Sequence, residues 1–215
     1  MSDRRLTPQV LLAGYASGIF PMADSRDDPD VFWVRPEQRG VFPIGAFKLS
    51  RSLKRKITKS APKVRIDTCF EEVVAACANR ETTWINDEIF KSYVKLFNMG
   101  YAHSLEVFDA EGTLWGGVYG VTIGGAFFGE SMFSAKTDGS KIALAYLMAR
   151  LSYSGFKLFD TQFLTDHLAS LGAIEISRKD YEDQLVSALE TEADFAALPQ
   201  DVPFHSITHL ITQTS

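Results

Sequence analysis

Three polar side chains stand out because of what surrounds them. Asp160 and Gln162 lie two residues apart at the end of the run Phe156 to Gln162, so they share a face if the strand extends through both. Strand ends commonly carry site residues, and Asp160 is equally suited to capping a following helix. Glu130 sits among Phe127, Phe128, Met132 and Phe133, in an apolar strand where a carboxylate is costly unless paired. Both a structural salt bridge and recognition of a cationic substrate satisfy that requirement.

Other chemistries lack their spacing. Ser131, His103 and His167 are present, but no G-x-S-x-G turn presents a nucleophile. The glycine-rich stretch 116–134 contains neither G-x-x-x-x-G-K-[ST] nor a Rossmann spacing between strand and helix, so its glycines read as turns and close backbone approaches. Cys69 and Cys77, with His103, His167, His205 and His209, form no metal-ligand pattern, and no metal is expected. So few cysteines fit a reducing cytoplasm.

Residues 48–65 carry Lys48, Arg51, Lys54, Arg55, Lys56, Lys59, Lys63 and Arg65 and no acid. Leu49, Leu53 and Ile57 recur every four residues, which puts them on one helix face and leaves the other basic. Like charges at this spacing repel, so a purely solvated face would normally mix signs. A phosphate-bearing partner is the favoured reading. The net charge of −5 conceals this run: the remaining 14 cations face 27 acids, a balance of −13.

These residues need elements to hold them. Thr7-Pro8 opens a helix that stops near Gly18, and Val31 to Val34 forms a short strand. Ser60-Ala61-Pro62 ends the basic helix and is the expected boundary between residues 1–61 and 62–215. A strand at 64–66, helices from Phe70 and from Asp87, and three strands over 103–108, 114–123 and 126–133 follow. Gly112 supplies the positive φ of the first turn. Helices at 140–154, 164–171 and 181–189 alternate with strands at 156–160 and 174–176. The order from residue 62 to the strand at 174–176 is β-α-α-β-β-β-α-β-α-β, an α+β domain with a mixed sheet. Residues 199–215 read as an irregular tail.

The 215 residues suffice for one large domain or two small ones, and at 46% hydrophobic and 23% charged the chain is globular. No apolar run reaches the roughly 18 residues that span a bilayer, and MSDRRLTPQV lacks an apolar segment of the secretory kind. No membrane association and a cytoplasmic location are expected. The 16 Phe residues fit either a dense core or an aromatic-lined pocket.

Eight segments, taken in order, resemble one family. They are Y-A-S-G-I-F-P-M (15–22), F-W-V-R-P-E-Q-R-G-V-F-P (32–43), S-R-S-L-K-R (50–55), T-W-I (83–85), G-Y-A-H-S-L-E-V (100–107), G-G-V-Y-G-V (116–121), F-F-G-E-S-M-F-S (127–134) and F-D-T-Q-F-L-T-D-H-L-A-S-L-G-A (159–173). Together they resemble the bacterial leucyl/phenylalanyl-tRNA–protein transferases. The family pattern differs at 32–36, at 138–141 and at Thr161, where Cys is frequent.

The resemblance implies a GNAT acetyltransferase-like catalytic domain behind a small N-terminal α/β domain, with no cofactor and a monomeric state. It implies transfer of Leu or Phe, and by extension Met, from aminoacyl-tRNA to N-terminal Arg or Lys, which feeds N-end-rule degradation. Asp160, Gln162 and Glu130 become the catalytic group: Asp160 polarises Gln162, whose oxygen accepts a hydrogen bond from the attacking amine, and Glu130 pairs with the basic acceptor. Trp33 and Phe32 stack on the terminal adenosine. Val118, Phe127, Gly129, Ser131, Met132 and Thr165 bind substrate, and Lys48, Arg51, Lys54, Arg55 and Lys59 hold tRNA phosphates. Two other classes stand beside this reading: an acetyl-CoA-dependent N-acetyltransferase of the same fold, and a non-catalytic RNA-binding module.

Overall fold

Caps and turns set the element boundaries along most of the chain. The structure is a computed structural model and describes residues 6–211. Thr7 accepts the Val10 N–H and starts α1 (Pro8–Ala16). A two-stranded antiparallel pair follows, β1 (Phe20–Met22) with β2 (Phe32–Val34). Next come β3 (Gln38–Val41) and the basic helix α2 (Arg51–Ser60), capped by Ser50 and ended by Ala61 at φ 42°. β4 (Lys63–Ile66), α3 (Phe70–Ala78) and α4 (Asp87–Asn98) lead into the meander β5 (Ala102–Phe108), β6 (Leu114–Ile123) and β7 (Ala126–Ser134). The rest is α5 (Gly139–Tyr153), β8 (Leu158–Gln162), α6 (Asp166–Leu171), β9 (Ile174–Ser177), α7 (Arg178–Leu189) and α8 (Phe204–Ile211).

The main sheet has seven strands in the order β4-β5-β6-β7-β8-β3-β9. Every pair is antiparallel except β7 with β8, which α5 joins as a crossover. Alternation along each strand feeds a core on either face. Val118, Phe127 and Phe159 point into the one covered by α2, α5 and α8. Their neighbours Tyr119, Phe128 and Leu158 point into the one covered by α1, α3, α4 and α7. The chain is thus α+β with a mixed sheet, as the element order predicts.

Packing is continuous across residue 61, and one expectation needs correcting. β3 is a strand of the main sheet, hydrogen-bonded to β8 and β9, and Leu53 and Ile57 of α2 lie in the same core as Val64, Phe127 and Leu147. The tail is not irregular throughout: α8 buries Ile207 and Ile211, four residues apart, against α5. Arg150 fastens the approach to it by donating to the carbonyls of Phe195, Leu198 and Pro199.

If α8 belongs to the core, Ile207→Ala should lower the unfolding free energy by about 2–5 kcal/mol in urea denaturation. A change within about 0.5 kcal/mol would show that the helix is a surface appendage.

Candidate active site

The ladder between β7 and β8 runs from Ala126–Leu158 to Phe128–Asp160 and stops there. Beyond it β7 continues to Ser134 and β8 to Gln162, and a cavity of about 710 Å³ opens along their free ends. Glu130 and Gln162 lie just past the last rung, one on each strand. The Gln162 Nε2 donates to Glu130 Oε1 at 3.0 Å.

Glu130 is 7% exposed and is held by donors that carry no charge. The Tyr15 hydroxyl of α1 donates to Oε1 at 2.7 Å, and the Tyr93 hydroxyl of α4 donates to Oε2 at 2.5 Å. The two phenol oxygens are 2.5 Å apart. Burial pushes the Glu130 carboxyl up to about 7, against the pull of the three hydrogen bonds and with a further push from Asp160. Burial and Glu130 also raise both tyrosines well above their ordinary value, so they remain protonated donors. Among the described residues no cation pairs with Glu130, so the salt-bridge reading fails, and its oxygens are taken up by internal donors.

Asp160 is fully buried and has a cation. Arg39 of β3 donates to it twice, Nε to Oδ1 at 2.9 Å and Nη2 to Oδ2 at 2.6 Å. The Tyr181 hydroxyl of α7 donates to Oδ2 at 2.9 Å, and the Gln162 backbone N–H to Oδ1 at 2.8 Å. Asp160 therefore touches the backbone of Gln162 and not its carboxamide. The polarising contact that the resemblance implies is absent, and Glu130 makes the side-chain contact instead.

Of the expected substrate residues, Val118, Gly129, Ser131, Met132 and Thr165 line the cavity. Phe127 does not: it is buried on the α5 face, against Phe159 and Phe195. Phe32 and Trp33 are also outside the lining. Phe32 is 44% exposed on β2, and the Trp33 ring lies against α1, where a Cβ on Gly14 would fall 2.2 Å from it. Trp84, Phe133, Phe159 and Phe163 are the cavity's aromatic residues, which composition could not single out, and Arg80 is its cation, held by the Met132 carbonyl and Ser131.

Lys48, just before α2, and Arg51, Lys54, Arg55 and Lys59 on it are exposed, with no carboxylate partner among the described residues. Lys56 differs, since it pairs with Asp138 at 2.9 Å. Tyr15, Tyr93, Arg39 and Tyr181 were not singled out from the sequence. A buried tyrosine needs a hydroxyl partner and a buried glutamate needs donors, so the two tyrosines on apolar helix faces carried a usable signal. Arg39 carried none, because its strand is recognisable only by its neighbours.

The profile of the family described as Leucyl/phenylalanyl-tRNA protein transferase matches residues 41–186, and that of its N-terminal domain matches residues 4–37. A "Leucyl/phenylalanyl-tRNA--protein transferase" of Ruegeria pomeroyi is 59% identical over 210 residues, covering 98% of this chain and 99% of that one. One from Cereibacter sphaeroides is 60% identical over 195 residues, 91% of each chain. A looser structural likeness is to L-PGS from Bacillus licheniformis, at TM-score 0.41 and 14% identity over 75% of this chain and 55% of that one.

The Glu130 environment makes a pH-dependent prediction. The folded protein keeps this proton up to about pH 7, whereas the ordinary value is 4.5. Between those values the folded form binds more protons than the unfolded one, so stability falls as pH rises through the window. Glu130→Gln abolishes that titration. Its stability relative to wild type, from urea midpoints, should climb from pH 4.5 to 7 and level off above it. A difference that does not vary with pH would contradict the burial assigned to this carboxyl.

Proposed function

The chain belongs to the leucyl/phenylalanyl-tRNA–protein transferase family, and on that premise we propose that the Gln162 carboxamide, itself outside the cavity lining and held by Glu130, which lies in that lining, orients the attacking amine. The enzyme transfers Leu or Phe from aminoacyl-tRNA to protein N-termini. The acceptors in this reading carry N-terminal Arg or Lys, and the product enters N-end-rule degradation. We read the catalytic region as GNAT-like and the protein as a cytoplasmic monomer. The mixed sheet agrees with the first, and no helix among the described residues is long and apolar enough to cross a membrane.

The chemistry is aminolysis of an ester. The amine nitrogen bonds to the aminoacyl carbonyl carbon, the ester C–O bond breaks, and the amine's proton ends on the departing ribose oxygen. An aminoacyl ester is already activated, so positioning does most of the work. An N-terminal amine has a pKa of about 7.7–8.0, and a useful fraction is neutral at pH 7 without a strong base. Gln162 is a very weak base and a good acceptor. With its Nε2 committed to Glu130, the Oε1 is the end left to take the amine N–H.

The observation that carries this reading is that commitment: a carboxamide with one end tied to a buried carboxyl beside a cavity lined by Val118, Met132, Leu144 and Phe159. Such an apolar pocket separates substrates by only about 1–3 kcal/mol per methylene, which suits acceptance of both Leu and Phe. The exposed cations of α2 would meet acceptor-stem phosphates, and those contacts position tRNA without reading its sequence. Asp160 stays in the catalytic group as the partner of the Gln162 backbone.

Radiolabelled Phe-tRNA and a peptide with N-terminal Arg or Lys should give a labelled peptide. Folded protein that transfers no label would overturn the reading. Binding of acetyl-CoA in calorimetry would favour an acetyltransferase, and tRNA binding without transfer an RNA-binding module. Charge reversal of Arg51, Arg55 and Lys59 should weaken tRNA binding and reduce its log–log salt slope by about 3, one per lost phosphate contact. The choice between Leu and Phe should not change, and a changed choice would put α2 at the aminoacyl end.

A further inference from the structure

We propose that Arg39 is a positioning residue for the transfer reaction, acting through Asp160 on the backbone of Gln162, with Tyr181 as its second support. The proposal rests on the reading of Gln162 given above.

Arg39 is 1% exposed, and each part of its guanidinium has a fixed neighbour. Nε and Nη2 take the two oxygens of Asp160, and Nη1 donates to the Gly18 carbonyl at 3.0 Å. Its faces lie against Phe20 and Tyr181, 4.6 and 4.4 Å from the ring centroids. A planar fork held edge and face leaves the paired carboxylate one orientation. In that orientation Oδ1 accepts the N–H of Gln162, two residues on. This is the local bond by which an aspartate folds the backbone that follows it.

Gln162 needs such a hold because its φ is +65°, in the left-handed region that non-glycine residues seldom enter. β3 supplies the other half of the constraint. Gly40 pairs with Gln162, and a Cβ there would fall 2.6 Å from the carbonyl carbon of Phe163. Adjacent residues of one strand therefore do two jobs: Arg39 pins the carboxylate, and Gly40 leaves room for the bend. The bend sets the direction of the Gln162 side chain and so its reach to Glu130. Asp160 has no solvent exposure and no contact with the carboxamide, so its influence on the reaction passes through the backbone.

The test is a double-mutant cycle of Arg39→Lys and Gln162→Ala. Kinetics use Phe-tRNA and a peptide with N-terminal Arg, with thermal melts to establish folding. Lysine keeps the charge and loses the fork. Arg39→Lys should lower kcat about 100-fold, the scale of an ångström of misplacement, with both KM values within about twofold of wild type. In the Gln162→Ala background the same change should lower kcat by less than about threefold, because the group it positions is gone. Losses that multiply in the double variant, or wild-type kcat in Arg39→Lys, would overturn the proposal. Wild-type kcat in Gln162→Ala would instead overturn the underlying reading. Should Arg39→Lys fail to fold, Tyr181→Phe replaces it: it removes one donor to Asp160 and should lower kcat about 10-fold with the same non-additivity.

Discussion

Two carboxylates end up buried on neighbouring strands at the point where β7 and β8 part, and the rest of the site is a response to that. A buried carboxylate must be paired or supplied with donors. Asp160 receives a guanidinium fork, a phenol and a backbone N–H. Glu130 receives two phenols and a carboxamide and, among the described residues, no cation. The difference has a chemical consequence. The anion with the cation becomes a rigid fixture. The carboxyl without one is pushed up to about 7 by burial and sits at the edge of the cavity.

Meeting both demands draws in most of the chain. Tyr15 comes from α1, Arg39 from β3, Tyr93 from α4, Tyr181 from α7, and the acids themselves from β7 and β8. Four of the six elements lie outside the strands that carry the reacting groups. The first sixty residues are thereby built into the site. They supply the phenol above Glu130 and the guanidinium behind Asp160, and β3 fills the sheet between β8 and β9. A site assembled this way is insulated from loop motion, since each donor is anchored in a helix or strand packed on one of the two cores.

What the sequence disclosed followed the range of the interactions. Caps, turns and periodicity are local, so α3, the meander and the sequence order of the catalytic elements were legible. Glu130 was legible as an anomaly because its neighbours in the chain are apolar. Its donors were not, lying 115 and 37 residues away. β3 was illegible for a sharper reason. Gln38-Arg39-Gly40-Val41 has no alternation of apolar and polar residues, since its arginine is buried by Asp160, 121 residues on, and its glycine by a neighbouring backbone. In α8 the signal existed, in the spacing of Ile207 and Ile211, but Pro199, Pro203 and polar neighbours obscured it.

The aromatic residues teach a related point. Trp33 and Phe32 invite a stacking role by type alone, yet Trp33 is committed to α1 through a missing Cβ at Gly14, and Phe32 lies outside the cavity lining. Residue type gives what a side chain is able to do; packing decides whether it is free to do it. The same distinction applies to the basic run. Lys56 is spent on Asp138 at the start of α5 and Arg65 on Asp201, so the cations of the run that remain available among the described residues are those on the outer face of α2 and at Lys48 and Lys63. The unpaired positive charge therefore stays mostly on an exposed helix, where salt screens it, while Glu130, Asp160 and Gln162 sit where solvent barely reaches. In the function proposed above, grip on the tRNA and geometry at the ester are then set by separate residues. On that reading a protein with a net charge of −5 holds a polyanion on cations of α2, none of which lines the cavity.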